Sequence, residues 1–92
     1  MEERILTRHP LGKKGVRIGK ERYELIASEI KRALSTKDLT YTELTDVIER
    51  RLGKRFDGSI PWYTVTVKLD LEARGIVVKA DRKTSKLRLK RR

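Results

Sequence analysis

Between Lys20 and Ser35 the apolar residues Tyr23, Ile26, Ala27, Ile30, Ala33 and Leu34 recur at steps of three and four. That period gathers them on one stripe, so it predicts a first amphipathic helix with this stripe facing a core. Thr40 and Glu43 then have the spacing of a capping box, and Leu39 and Leu44 are placed to staple around it. A second helix follows, with Leu44, Val47, Ile48 and Leu52 as its buried stripe and Gly53 as its stop. The loop from Gly53 to Gly58 is basic at Lys54 and Arg55, and Phe56 is expected to tuck beneath it as an anchor.

The third helix is predicted from Ser59 to Arg74, with Pro61 in its first turn, where a missing amide costs nothing, and Gly75 beyond its end. Its apolar residues divide into two nearly opposite stripes, Ile60, Thr64, Val67 and Leu71 on one side and Trp62, Val65, Leu69 and Ala73 on the other. Only one can pack on the first two helices. The Leu71 side is favoured because it runs on into Gly75 and Ile76, which leaves the Trp62 side needing another cover. After Gly75 the period changes to two. Ile76, Val78 and Ala80 alternate with Val77 and Lys79, Leu87 and Leu89 alternate with Arg88 and Lys90, and Asp81 to Ser85 between them is turn-like. This predicts a hairpin with one apolar face, the other face and the tip being cationic. Residues 1–19 contain His9-Pro10, three glycines and no sustained period, so they read as an extended basic arm that Ile5, Leu6, Leu11, Val16 and Ile18 could anchor. The expected architecture is α+β: a winged helix-turn-helix over residues 20–92, three helices plus a C-terminal β-hairpin wing, preceded by the arm 1–19.

Composition narrows what such a domain can do. At 92 residues the chain is a single domain with a small core and no room for a cleft between lobes. Cysteine is absent, which removes disulfides, thiolate metal sites and a cysteine nucleophile. No apolar run approaches a membrane span, and the N-terminus lacks the apolar stretch of a signal peptide, so a cytoplasmic location is expected. His9 is the only histidine, and Gly12, Gly15 and Gly19 do not join a strand to a helix. Neither a histidine-based triad or metal cluster nor a phosphate-cradling loop can be assembled. An enzyme, a cofactor, a small-molecule substrate and a membrane partner are therefore not expected.

The net charge is +11, and its distribution points to a polyanion. Residues 1–19 carry five Lys/Arg against two acids, residues 20–73 ten against ten, and residues 74–92 nine against one. The excess therefore lies at the two ends. Asparagine and glutamine are both missing, which removes the usual bidentate partner of adenine and is also what thermal adaptation would produce.

Two blocks carry a family resemblance. Gly58-Ser59-Ile60-Pro61-Trp62-Tyr63 with Val67-Lys68-Leu69-Asp70-Leu71-Glu72-Ala73-Arg74-Gly75, and His9-Pro10-Leu11-Gly12-Lys13-Lys14-Gly15-Val16-Arg17-Ile18, resemble a small family of uncharacterised prokaryotic winged-helix proteins. The likeness covers nearly the whole chain. It implies the winged fold and brings no settled activity with it.

Candidate contacts follow from position and charge. Arg82, Lys83, Lys86, Arg88 and Lys90 on the ribbon suit phosphates or a narrow minor groove. Arg8, Lys13, Lys14 and Arg17 could track a neighbouring groove, or the arm could instead lie over the Trp62 stripe and complete the core. Tyr63 and Lys68 are candidate groove or phosphate contacts, although Asp70 and Glu72 beside Lys68 would repel a nucleic-acid backbone. Trp62, Val65 and Leu69 are better suited to a protein contact, because a large aromatic buries more area in protein than in duplex DNA. Three readings stand: duplex DNA held through phosphates by wing and arm, a homodimer or other protein interaction through the Trp62 stripe, and RNA or ribosome binding. Exposure of the Trp62 ring would put a protein partner first; its burial by the arm would leave the wing as the main nucleic-acid element.

Overall fold

The computed structural model describes residues 3–80 and 83–90. In chain order they form β1 (Arg4–Leu6), β2 (Arg17–Gly19), α1 (Lys20–Thr36), α2 (Tyr41–Leu52), a 3-10 turn (Gly53–Arg55), α3 (Ile60–Ala73), β3 (Val77–Lys79) and β4 (Leu87–Leu89). The fold is α+β, three helices and two antiparallel hairpins, a layout compatible with a winged helix.

The helices pack as their periods require. On α1, Ile26, Ala27, Ile30, Ala33 and Leu34 are buried. On α2, Leu44 and Ile48 are fully enclosed, with Val47 and Leu52 packed at their margin. The α2 capping box forms: the Thr40 hydroxyl accepts from the Glu43 amide at 3.2 Å, and the Glu43 carboxylate accepts from the Thr40 amide at 2.9 Å. That second bond favours the ionised acid and holds the Glu43 carboxyl below its ordinary range. Glu29, on the same side of α1 as the core, is buried and takes Arg51 of α2 at 2.5 Å, which ties the two helices together at the margin of the core.

On α3 the Leu71 stripe is the core stripe, since Ile60, Thr64, Val67 and Leu71 are all buried. Ser59 caps the start through the Trp62 amide. At the far end the Ile76 amide reaches the Leu71 carbonyl at 2.9 Å and the Gly75 amide reaches Glu72 at 3.0 Å. This is a Schellman turn, which needs the positive φ of +76° that Gly75 adopts. It turns the chain directly into β3.

The C-terminal hairpin pairs Val77 with Leu89, Val78 with Arg88 and Lys79 with Leu87. Residues facing each other across an antiparallel ladder share a face, so Val77, Leu87 and Leu89 turn inward together. Val77 and Leu87 are buried, whereas Val78 pairs with Arg88 on the outer side. The expected phase, with Ile76, Val78 and Ala80 forming the apolar set, is therefore displaced by one residue. An apolar run at 76–78 has no polar partner to mark its inner face, so the register with Leu87 decides it. The outer edge of β4 is not left open. Leu39, between α1 and α2, exchanges hydrogen bonds with Leu87 at 2.7 and 3.2 Å.

The N-terminal arm is a second hairpin. β1 and β2 pair Arg4 with Gly19, Ile5 with Ile18 and Leu6 with Arg17, and the ladder runs on through Thr7 and Val16. Three-residue strands are too short to show a period, so the pairing is hidden in the sequence. Ile18 is buried in the common core, and β2 leads without a break into α1.

Candidate nucleic-acid interface

The C-terminal hairpin presents Lys79, Lys83, Lys86 and Lys90 as exposed side chains. Arg82 lies outside the described residues. Arg88 is more committed than its place on an outer face suggests, because its guanidinium grips Asp38 with two bonds of 2.7 and 3.2 Å. That pair keeps Arg88 half-exposed, fastens the hairpin to the α1–α2 connection and raises the Arg88 pKa further. The same connection brings in a cation that the sequence did not single out. Lys37, Arg88 and Lys90 line one shallow depression, and Lys86 and Lys37 both lie close enough to Glu43 to lower its pKa. No periodic signal marks Lys37; only the Leu39 to Leu87 bridge places it there.

The N-terminal hairpin carries Arg8, Lys13, Lys14 and Arg17, all exposed and, among the described residues, none in an ion pair. Its loop closes at a neck where Thr7 and Val16 exchange three bonds of 2.8 to 3.0 Å, two of them through the Thr7 hydroxyl. Gly15 is required at this neck. A Cβ there would lie 1.7 Å from the Thr7 carbonyl oxygen.

Asp70 fastens this hairpin to the helices. Its carboxylate is fully buried and accepts from the Arg8 amide at 2.8 Å, from Arg74 Nε at 2.8 Å and from the Tyr23 hydroxyl. One side chain thus joins β1's continuation, α1 and α3. Burial, then the bond to Asp70, push the Tyr23 phenol up to about 12, because ionising it would place a second negative charge beside the carboxylate. The expectation that Asp70 and Glu72 would repel a nucleic-acid backbone is accordingly corrected. Asp70 points inward, and Glu72 is mostly covered and paired with Lys68 at 2.8 Å.

The remaining α3 candidates also change role. Lys68 is only 16% exposed, bound to Glu72 and lying 5.9 Å over the Tyr41 ring, so it is not a free phosphate contact. Tyr63 stands half-buried between Phe56 and Trp62, edge to face with both at 5.1 and 4.9 Å. It packs the helix start and does not offer a ring for stacking. The Trp62 stripe is split: Trp62 is 44% exposed, whereas Val65 and Leu69 are half-buried. Leu69 and Thr66 share a cavity of about 110 Å³ with Thr7, His9, Gly15 and Val16, so the N-terminal hairpin covers that end of the stripe and leaves Trp62 beyond it.

A family model matches residues 4–89, which takes in both hairpins and all three helices. The chain belongs to DUF6958, a family of unknown function. Comparison with curated proteins and with solved structures gives no match. The DUF6958 match begins with β1 and ends with β4, so the N-terminal hairpin belongs to the family's domain as much as the helices do. Among the described residues no three His, Asp or Glu side chains converge to hold a metal ion, and no helix is long and apolar enough to cross a membrane.

Proposed function

We propose that this DUF6958 chain is a winged-helix protein that binds duplex DNA through phosphate contacts from its two hairpins, the C-terminal one acting as the wing. One observation carries this reading. Residues 20–73 balance ten Lys/Arg against ten acids, some of them joined in ion pairs such as Arg22 with Asp57 and Arg51 with Glu29, whereas residues 8–17 hold four exposed cations and no acid. Residues 83–90 hold four more cations and no acid in the sequence, and Arg88 among them is paired with Asp38. β2 enters α1 at one end and Leu39 meets β4 just beyond the other, so the two cationic groups flank a helix that rises roughly 25 Å at 1.5 Å per residue. Such a span suits two separate phosphate contacts along one duplex. It does not require α3 to read bases, a task its covered and largely apolar surface fits poorly.

Binding of labelled duplex DNA across a range of salt tests the proposal. Affinity is expected to fall steeply with salt as condensed counterions are released. Absence of binding to duplex DNA at low ionic strength overturns it, and preference for structured RNA in competition moves the reading to RNA or ribosome binding. A protein contact is the second reading, favoured by the exposed Trp62 ring. It stands second because Val65 and Leu69 do not extend that ring into a continuous exposed stripe, and a single aromatic is a small patch. Sedimentation of Trp62→Ala against the native chain checks whether this surface mediates self-association.

A further inference from the structure

The loop of the N-terminal hairpin has one property that phosphate binding does not require. Its apex is apolar: Leu11 is 77% exposed, more than any other large apolar side chain among the described residues. The apex is also built to be rigid. His9, Pro10, Leu11 and Gly12 form a β-turn in which the Gly12 amide donates to the His9 carbonyl at 2.9 Å and the Leu11 amide donates to His9 Nδ1 at 3.1 Å. Pro10 pre-sets the turn, and Gly12 leaves it at a φ of +72°. Behind the apex stand the Thr7 to Val16 neck and the Asp70 bond to the Arg8 amide.

From this geometry we infer that the Pro10-Leu11 apex is a minor-groove wedge, Leu11 entering between base pairs while Arg8, Lys13, Lys14 and Arg17 hold the phosphates on either side. The inference rests on the DNA-binding reading above and adds to it the groove and a deformation of the duplex. Three physical points support it. A duplex minor groove is about 6 Å wide, which excludes a helix and admits the tip of a turn. Apolar side chains set among Lys and Arg on such a tip unstack a base step and kink the duplex, with the fixed turn avoiding an ordering cost on binding. No acid lies between residue 4 and residue 20 to offset the cations around Leu11, so the apex suits a polyanion and repels a basic surface. A membrane surface is less well served, since the apex lacks an aromatic anchor and one Leu side chain is a small apolar area to bury in lipid.

The test uses the full chain with a duplex of roughly 25 base pairs carrying a donor and an acceptor dye at its ends and a central TA step. The native chain is expected to shorten the end-to-end distance, consistent with a kink of about 20 to 90°. Leu11→Ala, at an exposed position that leaves the fold intact by circular dichroism, is expected to retain salt-dependent binding, lose the bend and weaken affinity by about tenfold or less. Leu11→Met is expected to restore the bend. Binding by the native chain with no change in end-to-end distance, or equal bending by Leu11→Ala, overturns the wedge while leaving phosphate binding in place. Loss of all duplex binding at low salt overturns the DNA reading itself. Leu11-dependent binding to anionic vesicles without bending of DNA overturns the wedge in favour of a membrane contact.

Discussion

Asp70 has no exposed surface, yet it is ionisable and accepts hydrogen bonds from three separate elements. Removing it strands the Arg74 guanidinium and the Tyr23 hydroxyl and frees the Arg8 amide. Asp70→Ala is expected to lower stability by about 2 kcal/mol or more, measured by urea denaturation, because three donors lose a fully buried acceptor at once. Tyr23 makes the same contact visible in pH. Its phenol ionises at the ordinary 10.0 in the unfolded chain and near 12 in the folded one, so folding favours the protonated form. The contribution is complete below pH 10.0 and is lost as pH rises towards 12. Tyr23→Phe should remove that part of the alkaline decline, and an absorbance titration of the native chain should show one of its three tyrosines ionising late. None of this was legible beforehand. Asp70 reads as an exposed acid beside Glu72 because its partners lie 62, 47 and four residues away, and only the last falls within a helical turn.

At the scale of elements, helices and strands differ in how openly the chain declares them. The three helices follow a 3.6-residue period over 12 to 17 residues and carry their own end signals: the Thr40 and Glu43 box, the Ser59 cap with Pro61, and Gly75. Each strand is three residues long, less than two repeats of its period. In the sequence the N-terminal hairpin therefore looks like an extended arm, and the C-terminal hairpin looks one residue out of phase. Gly15 offers a direct check on the first of these. Gly15→Ala should force the two limbs apart at Thr7, remove the neck bonds and cost on the order of 2 kcal/mol. Amide exchange at Thr7 and Val16 should accelerate strongly while that of the α1 core is retained.

For the whole molecule the relevant quantity is where charge is left uncompensated. The body is compact, with a Cα radius of gyration of 12.7 Å, and its excess cations lie on two hairpins joined to opposite ends of α1. Two separated contact groups should act additively. On the proposed DNA binding, Lys86→Ala and Lys90→Ala on the C-terminal hairpin, and Lys13→Ala and Lys14→Ala on the N-terminal hairpin, are each expected to reduce the salt slope of duplex binding by about one per phosphate contact removed. A loss of slope confined to one hairpin would limit the interface to that end. Arg88→Ala is expected to behave differently, lowering stability as well as affinity, since it also releases Asp38 from the C-terminal hairpin.

Periodicity, caps and charge counts are local properties, and they suffice for the three helices, the choice of the Leu71 side of α3 as core and the placing of positive charge at both ends of the chain. Local patterns cannot say which of several cations a distant acid will take. Lys68 and Arg88 were lost from the free set, and Lys37 gained, through contacts set by how α1, α2 and β4 come together. The split of the Trp62 stripe likewise depended on a hairpin whose two limbs are separated by ten residues of loop in the sequence. Pairing of that kind is settled by closure and burial of the whole chain, and it is there that a basic arm became a rigid apex with Leu11 at its tip.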